Sequence, residues 1–313
     1  MKKNLLLISI SLLLLILAAC GNTEDNNNNS SDSSEKISIE HELGTTVVPA
    51  NPEKVVVFDF GTLDTLDKLG VNVTAVPQGN IPSYLEKFES DEYENVGSLK
   101  EPDFDKLAEI DPDLIIISGR QASLYDQLSE LAPTVHLGVD TTRYMDSFKE
   151  NLDAIGKIFN KDDEVQTELA AIEESIAGLK EKAEGSGMNS LIILANDDKI
   201  SAYGPNSRFG LIHDVFGVEP VDKGIEASTH GMNVTFEYVV ENDPDMLYVI
   251  DRSAVVEGGS SSAKQLVENK LVENTKAYQN DNIVYLNPDY WYLSGGGLVS
   301  VQEMVNEIDA SLK

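Results

Sequence analysis

Only four of the 23 basic residues in this 313-residue chain are arginines: Arg120, Arg143, Arg208 and Arg252. A chain that otherwise relies on lysine, yet ends apolar runs on arginine, is asking for forked planar donors, and such donors match oxyanions. Arg120 closes the phrase FDKLAEIDPDLIIISGR, which starts at Phe104. Arg252 closes FEYVVENDPDMLYVIDR, which starts at Phe236. Laid on each other without a gap, the phrases match at Phe, Glu, Asp, Pro, Asp and the final Arg. A helix, an Asp-Pro-Asp break and a strand make a common α/β connection, and chance repetition would explain the Asp-Pro-Asp. It would not explain the matched arginines. Arg208, in GPNSRFG, falls in the first turn of a predicted helix. A cation there opposes the helix dipole, but together with the helix N-terminus it makes an anion site. Arg143 has no such setting and reads as a surface residue.

Two further groups could meet a ligand. His230 sits in ASTHGMN, a predicted loop. A lone histidine is more often a loop hydrogen-bonder than a ligand, and both readings stay open here. PDYWYLSGGG places Tyr290 and Tyr292 on either side of Trp291, the only tryptophan. These aromatics are either core or the wall of a pocket. The glycines behind them suggest close backbone approach or a helix start; they are not a GxGxxG fingerprint.

The elements that must position these residues follow from the apolar pattern. KVVVFDFG (Lys54–Gly61) is a predicted buried strand. The helix TLDTLDKLG follows, with Thr62 as N-cap and Gly70 as stop. Val73–Pro77 is the next strand. The first phrase then gives a helix over Phe104–Ile110, a break at Asp111-Pro112 and a strand over Leu114–Ser118. Proline biases its predecessor out of the helix, so the break has a cause. Pro133–Gly138 is one more strand. Short apolar strands alternating with helices imply a parallel sheet covered on both faces.

From Asp146 to Glu184, apolar residues recur mostly at spacings of three and four with no proline. The pattern predicts one helix of roughly 50 Å at about 1.5 Å per residue; the alternative is two helices broken near Asn160-Lys161-Asp162-Asp163. Beyond Gly185–Gly187 come two strands around Asp197-Asp198, a helix from Arg208 to Phe216, the second phrase, a strand over Asn282–Asn287 and a closing helix from Leu298. The expected fold class is α/β, with two Rossmann-like lobes joined by a single long helix: a lobe over 36–145, the helix over 146–184 and a lobe over 185–313. Ligands of open α/β sheets collect beyond the carboxyl ends of the strands. Arg120 and Arg252 are therefore expected at the facing edges of two similar lobes, pointing into one cleft.

The N-terminus, MKKNLLLISISLLLLILAAC, has two lysines, an apolar run and then Leu17-Ala18-Ala19-Cys20. It reads as a secretory signal over 1–19. The cysteine straight after Leu-Ala-Ala resembles a bacterial lipobox, which makes Cys20 a lipidation site, and several acyl chains hold a protein at a membrane durably. Plain secretion with a free thiol is the simpler alternative. Residues 20–35, with GNTEDNNNNSSDSSE at their end, are too polar to bury a core and read as a tether. The net charge of −31 argues against nucleic-acid binding and fits a monomer that repels its copies. It does not forbid an anionic ligand, because surface carboxylates are screened over about 8 Å, while clustered arginines act at lower effective dielectric.

The lipobox, the two lobes on one helix, SGR, PNSRFG, STHG, DR and WYLSGGG together resemble the siderophore-binding lipoproteins of bacterial ABC importers, nearest to the catecholate and petrobactin binders. The likeness covers nearly all of the mature chain, with VVVFDFGTLDTLDKLG, GSLKEPDFDKLAEIDPDLIIIS and KISAYGPNSRFGLIHDVFG as its specific matches. It implies a class III periplasmic-binding-protein fold. The bound ligand would be a Fe(III)-siderophore, with no intrinsic cofactor. By match, Arg120, Arg208 and Arg252 would hold catecholate oxygens. His230 and Tyr292 would complete the iron shell where the siderophore leaves sites open; Tyr290 falls one step outside the motif. Asp105 and Glu237 would dock the permease, although the family often has Glu at the first position and Asp105 departs from it. The implied partners are the permease and, through it, the ATPase. The implied location is the extracellular face of a Gram-positive membrane, on a lipid anchor.

Other functions fit less well. A haem or corrinoid receptor of a related importer is the alternative, and three arginines disfavour a mostly apolar macrocycle. A divalent-metal receptor would want clustered histidines, and the four here are dispersed. GxSxG, HExxH, P-loop and CxxC motifs are absent from the sequence, so an enzyme is not expected. An adhesin would bind no small ligand.

Overall fold

The computed structural model describes residues 36–256 and 263–312. The expected signal segment 1–19, Cys20 and the tether to residue 35 lie outside the described residues. The first described element is a hairpin that the sequence reading missed, β1 (Lys36–His41) paired antiparallel with β2 (Gly44–Pro49). Only Ile39 and Val48 of this hairpin are fully buried, so its apolar signal is weak.

The first lobe is a five-stranded parallel sheet of β3 (Val55–Val57), β4 (Ala75–Val76), β5 (Glu94–Asn95), β6 (Leu114–Ile117) and β7 (Thr134–His136). Its spatial order is β5-β4-β3-β6-β7, a doubly wound pattern whose order reverses between β3 and β6. Every residue of β3 and β6 is buried, which explains their unbroken Val and Ile runs. Helix α1 (Phe60–Lys68) follows β3, and its N-cap is Asp59, whose side chain accepts from the Thr62 N–H. The expected cap at Thr62 is therefore three residues late, and the apolar Phe58 and Phe60 around Asp59 concealed the cap in what read as a strand.

The second lobe has a six-stranded sheet built from β8 (Asn189–Asn196), β9 (Lys199–Tyr203), β10 (Glu219–Pro220), β11 (Met232–Val234), β12 (Met246–Asp251) and β13 (Ile283–Leu286). Strands β8, β12 and β13 run parallel, while β9 pairs antiparallel with both β8 and β11. This sheet is mixed, because the tight turn at Asp197-Asp198 can only return the chain antiparallel.

The single helix expected over 146–184 is two: α2 (Tyr144–Phe159) and α3 (Asp162–Ser186). Asn160 ends the first in the left-handed region, at φ 52°, with its N–H on the Gly156 carbonyl. Asparagine tolerates that conformation, and the apolar spacing runs through the break because α2 and α3 pack on each other. Helix α2 belongs to the first lobe, and α3 alone crosses to the second. At 25 residues α3 spans about 38 Å. The closing helix α4 (Leu298–Ser311) packs against both α3 and α1. One hydrophobic core consequently runs through both lobes, from Val55 and Leu63 through Leu169 and Leu179 to Tyr248 and Val305.

Candidate ligand-binding site

The two copies of the repeated phrase fold alike. Phe104–Ile110 and Phe236–Asn242 are both seven-residue helices. Each ends at an aspartate in the left-handed region, Asp111 at φ 52° and Asp243 at φ 42°. Proline after each aspartate disfavours the right-handed helical conformation, and aspartate accepts the left-handed one. The second aspartate ties the phrase to the central strand of its lobe. Asp113 accepts from the N–H groups of Glu53 and Lys54 at 3.0 and 2.8 Å. Asp245 accepts from the Asn189 N–H at 3.1 Å, and Asn189 Oδ1 accepts the Asp245 N–H in return. Register then delivers the arginines: Arg120 follows β6, and Arg252 follows β12.

Four strand ends meet at Tyr292. Arg120 donates through Nη2 to the Tyr292 carbonyl at 2.8 Å and through Nη1 to the Leu293 carbonyl at 3.4 Å. Arg208, five residues past β9, donates to the same Tyr292 carbonyl at 2.8 Å. Its guanidinium also stacks on the Tyr292 ring, 4.1 Å from the centroid, a cation–π contact. Arg252 Nε donates to the Tyr292 hydroxyl oxygen at 2.9 Å, and its Nη1 is held by the Asn196 side chain. Among the described residues, none of these three arginines has a carboxylate ion-pair partner, whereas Arg143 pairs with Glu150 and Asp140 on the surface.

Electrostatics follow from this crowding. Burial and the neighbouring Arg208 charge hold the Arg120 guanidinium below its ordinary pKa. Burial alone would raise the Tyr292 phenol, but Arg208 and Arg252 outweigh it and leave the pKa below the usual tyrosine range. Uncompensated guanidiniums in a half-buried site attract an anion by about 4 kcal/mol per close pair at an effective dielectric near 20. Arg208, Arg252, Tyr292, His230, Asn196 and Lys199 line one cavity of about 190 Å³. Arg120 does not line it; it reaches the cavity through the backbone of Tyr292.

The other expected residues divide. His230 is exposed, lines the cavity, and donates its backbone N–H to Ser228 Oγ at 3.1 Å. Trp291 is not a pocket wall: it is 3% exposed and its indole N–H donates to Glu307 at 2.7 Å. Tyr290 packs on Tyr84 at 4.8 Å between centroids, away from the residues that line the cavity. The three aromatics point different ways because residues Asp289–Ser294 form a π-helical turn, a geometry that recurs at functional sites. The helix-dipole expectation for Arg208 fails, since the helix there is only Leu211–Asp214 and begins three residues later. Asp105 and Glu237 are both exposed, each at the second position of its short helix. Asn196 and Lys199 were missed; their one sequence signal was their place at the β8–β9 turn.

Comparison with known proteins identifies the fold and the family. Petrobactin-binding protein YclQ of Bacillus subtilis is 56% identical over 283 residues, covering 89% of each chain. Its crystal structure matches with a TM-score of 0.87 over 89% of this chain and 99% of that one. The ferric-anguibactin-binding protein FatB of Vibrio anguillarum is 31% identical over 87% of this chain and 86% of its own. The catecholate-siderophore binding protein VctP of Vibrio cholerae matches with a TM-score of 0.84 and 33% identity, covering 88% of this chain and all of its own. The family model described as periplasmic binding protein matches residues 55–290. With both sheets, the crossing helix and the arginine cluster inside that match, the chain belongs to the periplasmic binding protein family.

Proposed function

We propose that the protein captures a ferric catecholate-type siderophore, petrobactin-like in chemistry, and delivers it to the permease of an ABC importer for iron uptake. The observation that carries this reading is the convergence of Arg120, Arg208 and Arg252 on Tyr292 with no carboxylate partner among the described residues. A ferric tris-catecholate is a trianion, and three guanidinium charges balance it, with Arg208 and Arg252 facing the cavity as planar donors and Arg120 behind the Tyr292 backbone. The likeness to YclQ, a petrobactin-binding protein, and to VctP, a catecholate-siderophore binding protein, supports the same ligand class. Fe(III) is a hard ion that suits phenolate oxygen, and the lowered Tyr292 pKa eases formation of that phenolate. Tyr292 and His230 both reach the cavity, where they would complete the iron shell of a ligand that leaves positions open. Haem or a corrinoid is the poorer fit, because an apolar macrocycle would desolvate the guanidiniums without pairing them.

Asp105 and Glu237 would present one carboxylate per lobe to the permease, which in turn engages the ATPase. Lipidation of Cys20 would hold the protein at the extracellular face of the membrane. Trp291, buried next to Tyr292 in the chain, is a built-in reporter. Titration of its fluorescence with ferric petrobactin, ferric enterobactin, a ferric hydroxamate, haem and a corrinoid tests the reading. Saturable quenching by the catecholates, weakened in Arg208→Ala and Arg252→Ala, is the expected result. Tight binding of haem or the hydroxamate, indifferent to those substitutions, would overturn it.

A further inference from the structure

The backbone that carries Tyr292 is encoded in the second lobe but held by the first. Ser83 donates both its N–H and its hydroxyl to the Asp289 carboxylate. Arg120 holds the Tyr292 and Leu293 carbonyls. The Tyr84 hydroxyl lies 2.7 Å from Ser294 Oγ, and the Tyr144 hydroxyl donates to the Gly295 carbonyl at 2.9 Å. Helix α1 then caps α4. Thr65 Oγ1 accepts from the Leu298 N–H, and the two Asp64 oxygens accept from Val299 and Ser300 at 3.1 and 3.0 Å. These are the N–H groups that a helix start leaves without intrahelical partners. Asp64 is fully buried, and Tyr84 Oη also lies 3.0 Å from its Oδ2. Close backbone contact locks the joint further: a Cβ on Gly61 would lie 2.9 Å from the Gly296 carbonyl carbon, and one on Gly297 would collide with Asp64.

We propose that Asp64 is a positioning residue for Tyr292: through Tyr84–Ser294 and the start of α4 it fixes the π-helical turn to the first lobe. Tyr292 thereby faces Arg208 and Arg252 as a strut braced by the opposite lobe. The cleft is thus closed by one side chain whose support and partners lie in different lobes. The inference rests on reading Tyr292 as the ligand-facing residue, but its test needs no ligand. Tyr84, Tyr144 and Tyr290 are the titratable groups that feel Asp64, and all three phenols are pushed above their ordinary range by burial first, with the Asp64 charge adding to it.

The experiment is an NMR titration of ring-labelled tyrosine in the full-length mature protein without ligand, with Tyr292→Phe to assign the resonance. Asp64→Asn, which offers one acceptor oxygen where the carboxylate offers two, should move the Tyr292 phenol midpoint upward as the ring leaves the guanidiniums. Tyr84→Phe, which keeps the carboxylate and removes only the link to Ser294, should move it the same way by less. Both variants should lose affinity for a ferric catechol complex, Asp64→Asn by about tenfold. If either folded variant unfolds at lower temperature while the Tyr292 midpoint stays at the wild-type value, the role is structural only and the proposal is wrong. If Asp64→Asn does not fold, Tyr84→Phe decides alone. A wild-type protein that binds no ferric catechol complex, yet shows the shifted midpoints, would sink the ligand reading and leave the positioning role standing.

Discussion

Phe104–Arg120 and Phe236–Arg252 share a backbone plan down to the left-handed aspartates, yet their arginines do different work. Arg252 touches the Tyr292 hydroxyl and lines the cavity. Arg120 touches only backbone carbonyls of the π-helical turn. The sheets beneath them differ: the five-stranded sheet of the first lobe is wholly parallel, while the second adds β9, antiparallel to both β8 and β11, and these strands bring Arg208, His230 and Lys199 to the same cavity. A duplicated phrase therefore guarantees a guanidinium at a strand end. What that guanidinium meets is decided by the segment crossing over it. The second lobe supplies the cavity-lining groups, and the first supplies the clamp.

The largest expected asymmetry between the lobes sits at Asp64, the only carboxylate among the described residues with no exposed surface. Burial pushes its pKa from 3.8 up to about 7, although the Ser300, Val299 and Tyr84 hydrogen bonds oppose the shift. The folded form binds the proton more readily, so the stabilisation is complete below the unfolded value of 3.8 and fades as pH rises through about 7. The total is roughly 4 kcal/mol for a shift of about three units. In urea unfolding from about pH 4 to about pH 8, wild type should lose stability relative to Asp64→Asn across that window; a flat difference would show that folding leaves the Asp64 pKa unshifted.

Next in size, Arg252→Ala should weaken ferric catecholate binding about a hundredfold, near 3 kcal/mol. Arg120→Ala should cost about tenfold, since a carbonyl-bound arginine acts through position rather than contact. Equal losses in a fluorescence titration would erase the distinction between clamp and contact.

A smaller effect should separate the two Asp-Pro-Asp breaks. Asp113→Ala removes two backbone hydrogen bonds and Asp245→Ala removes one. The first should lower the unfolding free energy from urea titration more, by about 2 against about 1 kcal/mol. A reversed order would mean that the reciprocal Asn189 contact dominates.

The smallest effect on binding belongs to the exposed pair. Asp105→Ala and Glu237→Ala should leave affinity within about twofold, because solvated charges outside the cleft are screened, while iron uptake by cells slows. An unchanged uptake rate in the double variant would remove both residues from permease docking.

Local chemistry made much of this legible. The Val and Ile runs of β3, β6 and β12 announced buried strands because parallel sheets hide both faces. The Asp-Pro-Asp breaks announced helix ends because proline restricts its predecessor. Scarcity of arginine singled out Arg120, Arg208 and Arg252, and all three converge on Tyr292. The features that escaped are those whose cause lies elsewhere in the chain. Helix α2 stops at Asn160 while the apolar spacing continues, since both helices face a common core. Trp291 and Tyr292 are neighbours in sequence, yet one enters the core and the other the cleft, because a π-helical turn rotates them apart.

The sequence by itself determined where donors could appear: strand ends are set by local apolar runs, and guanidinium chemistry is intrinsic to the residue. It also determined the lobe-helix-lobe order, since periodicity is read along the chain. Only the tertiary structure decided that one tyrosine gathers all three arginines, and that its support comes from Asp64, Tyr84 and Arg120 in the other lobe. Those contacts join residues up to 236 positions apart, and no local pattern encodes a hydrogen bond whose two ends meet only after both lobes have packed on a common core.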